Sequence, residues 1–295
     1  MAKKDDIKEF ARGKTPKKLK NPNDFQIRLR TSVIYFCITL ICIFINDLTT
    51  VIMLSATAGI CAGEFYYMLR SDAKLPNEIV GVVGAALYPW SVWLFGLMGA
   101  LLLTVLLVVV LLIWYVFWMR ARVADVGVSL FGALYTGLLL SGLIIIRSAE
   151  SLEFPWAGIL LFAVYLGVWA NDVFAYLVGR KLGKHKLAPR TSPKKSWEGF
   201  FAGLVGSVLI WIGISFIPGV SMSMGQAIVF GLVCGLLGVL GDLAESRIKR
   251  NSGFKDSGTI MPGHGGLLDR CDSLFLVSVA AAILLVVGGC IPYGG

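Results

Sequence analysis

Charged residues are scarce in this chain and unevenly placed. They make up 15% of its 295 residues, whereas a soluble domain carries roughly a quarter. The stretch from residue 31 to residue 119 holds six charged side chains, too few for a water-soluble fold of this size. The shortage excludes a soluble globular domain and a disordered chain. Together with a hydrophobic content of 57%, it predicts a polytopic membrane protein.

Cysteine is also sparse, and no two cysteines are paired in the sequence. The six cysteines stand singly inside or beside apolar runs, and none belongs to a C-x-x-C motif. Isolated cysteines of this kind are typical of small apolar packing residues. The pattern therefore argues against a disulfide framework and against a zinc site.

Nine apolar runs have about the length of membrane-spanning helices, which need roughly 20 mostly apolar residues. They lie near residues 31–46, 48–69, 79–96, 98–119, 124–147, 155–179, 198–217, 225–247 and 265–291. No strand is expected, because an open sheet edge cannot face lipid. The predicted fold class is an all-α polytopic membrane protein with about nine transmembrane helices.

Basic residues predict the orientation of these helices. Of the 27 lysines and arginines, 25 lie in the first 30 residues or in alternate connections between the runs, at 70–78, 120–123, 180–197 and 247–264. Lysine and arginine concentrate on the cytoplasmic side of membrane proteins. We therefore expect a cytoplasmic N-terminus and a C-terminus outside. The net charge of +9 is then an orientation signal and not a sign of nucleic-acid binding.

The same features divide the chain into three parts. Residues 1–30 form a basic tail, which either contacts anionic lipid headgroups or serves only to orient the chain. Residues 31–147 contain the N-terminal transmembrane helices, in which Asp125 is expected to cap a helix and Glu64 to reach the membrane interface. Residues 148–295 contain most of the polar side chains that fall within apolar runs.

Polar residues inside membrane helices are costly, so each one is a functional candidate by default. Asp172 lies about two helical turns, roughly 12 Å, before Arg180 and therefore below the predicted interface. An aspartate at that depth needs a partner or a water-filled cavity. A buried pair with a basic residue is the alternative to a functional role.

A strongly basic loop follows Asp172. It has seven basic residues between 180 and 195, with hydroxyl side chains and prolines among them. This composition suits a polyanion such as a triphosphate, although an ordinary cytoplasmic loop would carry similar charge. The candidate ligands in the loop are Ser192, Lys194 and Lys195. Ser196 or Thr191 is expected to cap the next helix, whose positive end would favour phosphate.

The last two helices carry three aspartates. Asp269 and Asp272 are three positions apart and share one helical face, and Asp242 lies near the end of the preceding helix. Since the two helices form a hairpin, we expect the three carboxylates to meet at one depth. They would repel one another without a cation, and oxygen ligands indicate Mg²⁺. The alternative is a network of salt bridges with Arg270 and Lys249.

These polar residues resemble the signature of a known family. The motifs are Ser246, Lys249-Arg250, Lys255-Asp256, His264-Gly265-Gly266 and Asp269-Arg270-x-Asp272, preceded by S-P-K-K-S-W-E-G at 192–199 and D-x-x-A-Y-x-x-G-R at 172–180. In this order they resemble the phosphatidate cytidylyltransferases, also called CDP-diacylglycerol synthases. The resemblance covers roughly residues 165–290, with minor departures at Met261, Cys271 and Ser196.

The resemblance implies an enzyme that converts CTP and phosphatidic acid into CDP-diacylglycerol and pyrophosphate. The enzyme is expected in a bacterial cytoplasmic membrane, with its site facing the cytosol. The expected partners are the two substrates and membrane lipids, without nucleic acid, and a homodimer is left open.

The resemblance also suggests roles for particular residues. The expected Mg²⁺ ligands are Asp242, Asp269 and Asp272, and a second cation is left open. The expected phosphate-binding or catalytic residues are Ser192, Lys194, Lys195, Lys249, Arg250, Lys255 and His264. Asp172 is grouped with the CTP- and phosphate-binding residues, and it is expected either to shape the pocket together with Arg270 or to pair with that arginine.

Two other functions compete with this interpretation. A CTP-dependent lipid kinase would share the membrane location and the nucleotide, and a transporter for an anionic solute would share the basic loop. For the cytidylyl-transferring enzyme, the metal site should lie in a polar cavity that opens to the cytosol and sideways to the inner leaflet.

Overall fold

Long helices account for most of the computed structural model, which describes residues 23–70, 75–149, 152, 155–262 and 265–292. Most of the predicted basic tail and the candidate His264 lie outside these ranges. The helices are α1 (Asn23–Ile45), α2 (Asp47–Arg70), α3 (Glu78–Phe117), α4 (Val123–Ala133), a π-helix (Leu134–Leu138), α5 (Gly142–Arg147), α6 (Trp156–Leu182), α7 (Trp197–Ile214), α8 (Met224–Asn251) and α9 (Leu268–Val287).

Seven helices in the described ranges are long and apolar enough to cross a membrane. The stretch Val123–Arg147, which joins α4, the π-helix and α5, counts as one of them, and α1 contributes the shorter apolar segment Leu29–Ile45. Each predicted apolar run overlaps one of these helices or one arm of α3. The expected helical fold, with several helices long and apolar enough to span a membrane, is therefore confirmed.

Helix α3 is folded back on itself at Gly96. This residue has a non-helical conformation, with φ of 57° and ψ of −147°, which glycine adopts without the steric cost of a Cβ atom. The Tyr88 and Thr104 hydroxyls on either side of it are 2.8 Å apart. In a straight helix these residues would be separated by about 24 Å along the axis. The turn that the sequence predicted between Gly96 and Gly99 therefore forms at Gly96.

The connections between helices lie at two opposite ends of the bundle. At one end, the hydroxyl of Thr31 in α1 donates to the carbonyl of Pro262, in the loop before α9 (3.2 Å). At the other end, beyond the C-terminus of α1, Arg147 forms an ion pair with Asp47 (2.5 Å). Asp47 and Arg147, both predicted to lie on the outer side of the membrane, are therefore in contact. The polar loop before α9 lies at the opposite end, where α1 begins.

A two-stranded sheet corrects the expectation that the chain has no strands. β1 (Lys186–Ala188) and β2 (Ser192–Ser196) pair antiparallel within the basic loop between α6 and α7. The expectation failed because it applied the rule for lipid-exposed backbone to a connection outside the apolar runs. There, water can satisfy the outer edges of a short hairpin.

Small residues bring α6, α7, α8 and α9 close together. A Cβ atom on Gly203 of α7 would overlap the Asn171 side chain of α6, and one on Gly241 of α8 would lie 2.5 Å from the Asp272 carbonyl of α9. The Asn171 side chain also donates to the carbonyl of Gly235 in α8 (2.9 Å). This packing brings the polar ends of α6, α8 and α9 next to one another.

Tyr66 of α2 anchors the N-terminal helices. Its ring is fully buried between Gly81 and Gly132, and its hydroxyl donates to the carbonyl of Ser129 in α4 (2.5 Å). The hydrogen bond and the close packing together leave the ring no room to move.

We predict that Gly132→Ala destabilises the protein by about 1–3 kcal/mol, because the new methyl group would overlap the fixed Tyr66 ring. The control is Gly127→Ala in the same helix, where a Cβ atom meets nothing within 4 Å. The control should leave the thermal midpoint in detergent unchanged or raise it, because alanine favours a helix over glycine. Equal midpoints for the two variants would contradict the packing described for Tyr66.

Candidate functional site

Two cavities of about 440 Å³ each lie on either side of Asp172 in α6. The first is lined by Asp172, Ala175, Tyr176, Gly179, Arg180, Leu187, Lys194, Lys195, Ser196, Gly199, Phe200, Val239 and Asp242. The second is lined by Ser32, Val33, Tyr35, Phe36, Trp169, Asp172, Met261, Asp269, Arg270 and Asp272. Asp172 belongs to both walls, so the two cavities adjoin at this residue.

The first cavity has a basic wall and an acidic wall. Lys195 on β2 forms an ion pair with Asp242 of α8 (2.6 Å), whose other carboxylate oxygen accepts from the Ser246 hydroxyl (3.1 Å). The Ser196 hydroxyl accepts from the Gly199 N–H (3.2 Å) and caps the N-terminus of α7. The prediction that Ser196 or Thr191 caps this helix is thus confirmed for Ser196.

The second cavity is bordered by the outer face of the bundle. Val33 and Phe36 of α1 line it, and their side chains are also 50% and 38% exposed. Asp269, Arg270 and Asp272 of α9 line its polar side. The cavity therefore joins an apolar surface, where lipid would lie, to a group of charged side chains.

Three aspartates line the two adjoining cavities. Asp172 lines both of them, Asp242 lines the first and Asp272 lines the second. They come from α6, α8 and α9, which pack closely in this region. Asp172 and Asp272 were expected to be polar groups of the site, and the structure brings both of them to the cavity walls.

Asp269 faces the loop before α9. One of its carboxylate oxygens accepts from the Lys249 ammonium group (2.5 Å), and the other accepts from the N–H groups of Ser257 and Gly266 (2.9 Å each). Lys249 is also paired with Glu245 (2.5 Å). The sequence left open a network of salt bridges as the alternative to a metal site. In the structure, Asp269 and Lys249 belong to such a network.

No group of three histidine, cysteine, aspartate or glutamate side chains in the described part of the chain could hold a metal ion by itself. This finding does not test the expected Mg²⁺, which usually binds one or two protein carboxylates together with substrate phosphates. The three-aspartate metal site therefore stays a prediction. Asp242 lines the first cavity, and Asp269 and Asp272 line the second.

The remaining candidates lie outside the cavity walls, as far as the structure describes them. Lys249 is largely buried in its pairs with Glu245 and Asp269. Arg250 and Lys255 are exposed, and Ser192 begins β2. The phosphate-binding roles expected for these residues stay predictions.

Sequence reasoning underestimated Glu64. It was expected to extend to the interface, but the residue is 6% exposed and accepts hydrogen bonds from the start of α9. The signal was present, since a charged residue in an apolar helix is a functional candidate. Its partners could not be predicted, because they are about 200 residues away in the sequence. Asp125, in contrast, accepts from the Arg122 N–H (2.8 Å) and caps α4 as predicted.

Tyr135 is a second residue that the sequence did not single out. It lies in the π-helix, is 5% exposed, and its hydroxyl has no hydrogen-bond partner among the described residues. Its ring packs against Phe275 of α9, with ring centres 4.9 Å apart. π-Helical segments are frequent at functional sites, but an aromatic residue in an apolar run carries no distinguishing signal.

We predict that Asp269→Asn destabilises the protein by about 1–3 kcal/mol, because the amide cannot replace the carboxylate toward both Lys249 and the loop N–H groups. The control is Asp256→Asn, a change at an exposed carboxylate of the same loop. Thermal midpoints in detergent measure the difference. A midpoint for Asp269→Asn equal to that of the control would contradict the structural role of this carboxylate.

Comparison with known proteins gives relatives along most of the chain. The model of the cytidylyltransferase family matches residues 26–287. A phosphatidate cytidylyltransferase of Mycobacterium bovis is 34% identical over 259 residues, which cover 82% of each chain. A phosphatidate cytidylyltransferase of Staphylococcus epidermidis is 46% identical over 127 residues, which cover 43% of this chain and 48% of the relative. The matched residues include the N-terminal helices as well as both cavities.

Proposed function

This chain belongs to the cytidylyltransferase family, and we propose that it transfers the cytidylyl group of CTP to phosphatidic acid. The products are CDP-diacylglycerol, which stays in the membrane, and pyrophosphate. The similarity to the mycobacterial phosphatidate cytidylyltransferase over 82% of both chains supports this pair of substrates. The observation that carries the proposal is the meeting of a basic cavity and a lipid-bordered cavity at Asp172.

The first cavity is the proposed nucleotide site. Its lining includes three cations, Lys194, Lys195 and Arg180. They supply the positive charge that the binding of a triphosphate requires. The hairpin that carries the two lysines lies outside the apolar helices, where a water-soluble nucleotide can approach it. The N-terminus of α7, at Ser196 and Gly199, lies on the same wall, and the positive end of a helix dipole favours anions.

The second cavity is the proposed site for the lipid acceptor. Its apolar border on α1, with Val33 and Phe36, would hold the upper parts of the acyl chains, while Arg270 lies on the polar side. A lipid that enters sideways keeps its chains in the membrane. This matters because exposing each methylene group to water costs about 0.8 kcal/mol.

The reaction needs alignment and charge stabilisation more than proton transfer. A phosphate oxygen of the lipid attacks the α-phosphorus of CTP, and pyrophosphate leaves. The acceptor is a phosphate monoester with a second pKa of about 6, so it is already ionised near neutral pH and needs no strong general base. Lys194 and Lys195 would stabilise the negative charge of the leaving pyrophosphate.

Mg²⁺ is the proposed cofactor, and Asp242 and Asp272 are its proposed ligands in this chain. Both carboxylates supply the oxygen atoms that this ion prefers, and neither accepts from the loop N–H groups that occupy Asp269. When bound, the ion would neutralise phosphate charge during the transfer. Lys195 pairs with Asp242 in the structure, and both residues line the cavity proposed for the triphosphate. The proposed metal ligand Asp242 is therefore adjacent to the proposed triphosphate site.

The proposed topology has nine membrane passes with the site at the cytoplasmic end. The two arms of α3 and the apolar part of α1 complete the count beyond the seven long helices. The concentration of basic residues in the connections at the site's end of the bundle supports this orientation. The relatives from bacteria support a location in the cytoplasmic membrane.

Incubation with phosphatidic acid, Mg²⁺ and CTP labelled at the α-phosphorus tests the proposed reaction. We expect the label in the lipid extract, since cytidylyl transfer carries the α-phosphorus into the lipid. Label left in CDP would indicate a lipid kinase acting at the terminal phosphate. Unchanged CTP would contradict both the cytidylyltransferase and the lipid-kinase hypotheses. It would favour the hypothesis of a transporter for an anionic solute.

We predict that Lys194→Ala and Lys195→Ala each raise the KM for CTP about tenfold or more, because each removes a cation from the proposed triphosphate site. The KM for phosphatidic acid should change less than threefold. Lys186→Ala, at an exposed position of the same hairpin outside the cavity wall, is the matched control and should leave both constants unchanged. Equal effects on the two substrates would contradict the assignment of this cavity to the nucleotide.

We predict that Asp242→Asn and Asp272→Asn each lower turnover at saturating Mg²⁺ by more than tenfold, about 1.4 kcal/mol of lost barrier stabilisation. The Mg²⁺ concentration for half-maximal activity should rise in any residual activity. Asp47→Asn, at the opposite end of the bundle, should behave like the unchanged protein. Turnover above a tenth of the normal rate with an unchanged Mg²⁺ requirement would argue against that residue as a ligand.

A further inference from the structure

Glu64 of α2 joins the N-terminal helices to the beginning of α9. One carboxylate oxygen accepts from the Leu267 N–H (3.1 Å), and the other accepts from the Leu268 N–H (2.8 Å) and from the Ser257 hydroxyl (3.1 Å). All three bonds are buried. A single carboxylate from the first half of the chain thus holds two parts of the second half.

The start of α9 depends on this carboxylate. The first N–H groups of a helix have no acceptor within the helix, and α9 has no side-chain cap from its own N-cap residue, Leu267. Glu64 supplies the missing acceptors for Leu267 and Leu268. Its negative charge also lies at the positive end of the helix dipole, where a carboxylate is stabilising.

The loop before α9 is held between Glu64 and Asp269. Ser257 contacts both carboxylates, since its hydroxyl donates to Glu64 and its N–H donates to Asp269. Gly258 and Gly266 pack so closely on Glu64 that a Cβ atom on either would overlap its side chain. The shape of the loop is therefore determined by one carboxylate on α2 and one on α9.

This arrangement bears directly on the cavity walls. Arg270 and Asp272 lie within the first turn and a half of α9 and line the second cavity, so the anchored helix start sets where they lie relative to Asp242 on α8. Glu64 is not among the residues that line either cavity. It acts on the site through α9 and the loop.

We propose that Glu64 is a positioning residue for the transfer reaction: by capping α9 and fixing Ser257, it places Arg270 and Asp272 opposite Asp242. The effect of Glu64 on catalysis rests on the proposed function, whereas its contacts with α9 and the loop do not.

Glu64→Gln tests the proposal, with Glu78→Gln as the matched control. Glu78 is also a glutamate of the N-terminal helices, but it forms a partly exposed ion pair with Arg70 (2.6 Å). We expect Glu64→Gln to lower kcat by tenfold or more, because the amide presents a donor to a backbone N–H. The KM for CTP should change less than threefold, because Lys194 and Lys195 lie on a different wall. The control should keep kcat within twofold.

Hydrogen exchange provides a readout that does not depend on activity. In Glu64→Gln, peptides covering Ser257 and Gly266–Leu268 should exchange at least tenfold faster than in the unchanged protein, while peptides from the middle of α9 should not. The unchanged protein's cytidylyl transfer is measured separately, so a failure of the proposed reaction is distinguished from a failure of this inference. Normal exchange or normal kcat in folded Glu64→Gln would overturn the positioning role.

Ser257→Ala keeps the proposal testable if Glu64→Gln does not fold. It removes only the hydroxyl that bonds Glu64 and should lower kcat about threefold, with faster exchange confined to the loop. Where both variants fold, the double variant should lose no more kcat than Glu64→Gln alone, because both changes break the same link. Fully multiplicative losses, or a Ser257→Ala variant with normal kcat and exchange, would overturn the proposal.

Discussion

A carboxylate buried in an apolar helix bundle needs partners, and this requirement organises the polar end of the molecule. An unpaired buried charge costs several kcal/mol, and three acids at this end of the molecule are held by donors or by a cation. Glu64 is held by the N-terminus of α9 and Ser257, Asp269 by Lys249 and two loop N–H groups, and Asp242 by Lys195. The helix ends and the loop therefore take their positions from the carboxylates that they satisfy.

The acids consequently divide into two groups with different consequences for function. Glu64 and Asp269 use their oxygen atoms within the protein and shape the loop. Asp172 lines both cavities and Asp272 lines the second. A reaction between two phosphate-bearing substrates requires such a division, because rigid supports hold the reactive groups in place while carboxylates on the cavity walls remain able to bind a cation.

The two cavities also suit the different solubilities of the two substrates. CTP is soluble in water and highly charged, and its proposed cavity is reached past a basic hairpin outside the apolar helices. Phosphatidic acid stays in the bilayer, and its proposed cavity is bordered by the exposed apolar side chains of α1. Asp172 lies between the two cavities, so the substrates can meet without either one leaving the environment in which it is stable.

Local patterns in the sequence determined the positions of the helices, the turn at Gly96 and the helix caps at Asp125 and Ser196, because these depend on residues a few positions apart. The family resemblance also came from short motifs. Only the tertiary structure decided that Asp269 faces the loop, that Glu64 caps α9 and that Asp172 lies between two cavities. These features depend on which helices become neighbours, and contacts between residues about 200 positions apart leave no periodic trace in one sequence. The β-hairpin was missed for a different reason: the rule for lipid-exposed backbone was applied to a loop that lies outside the apolar helices.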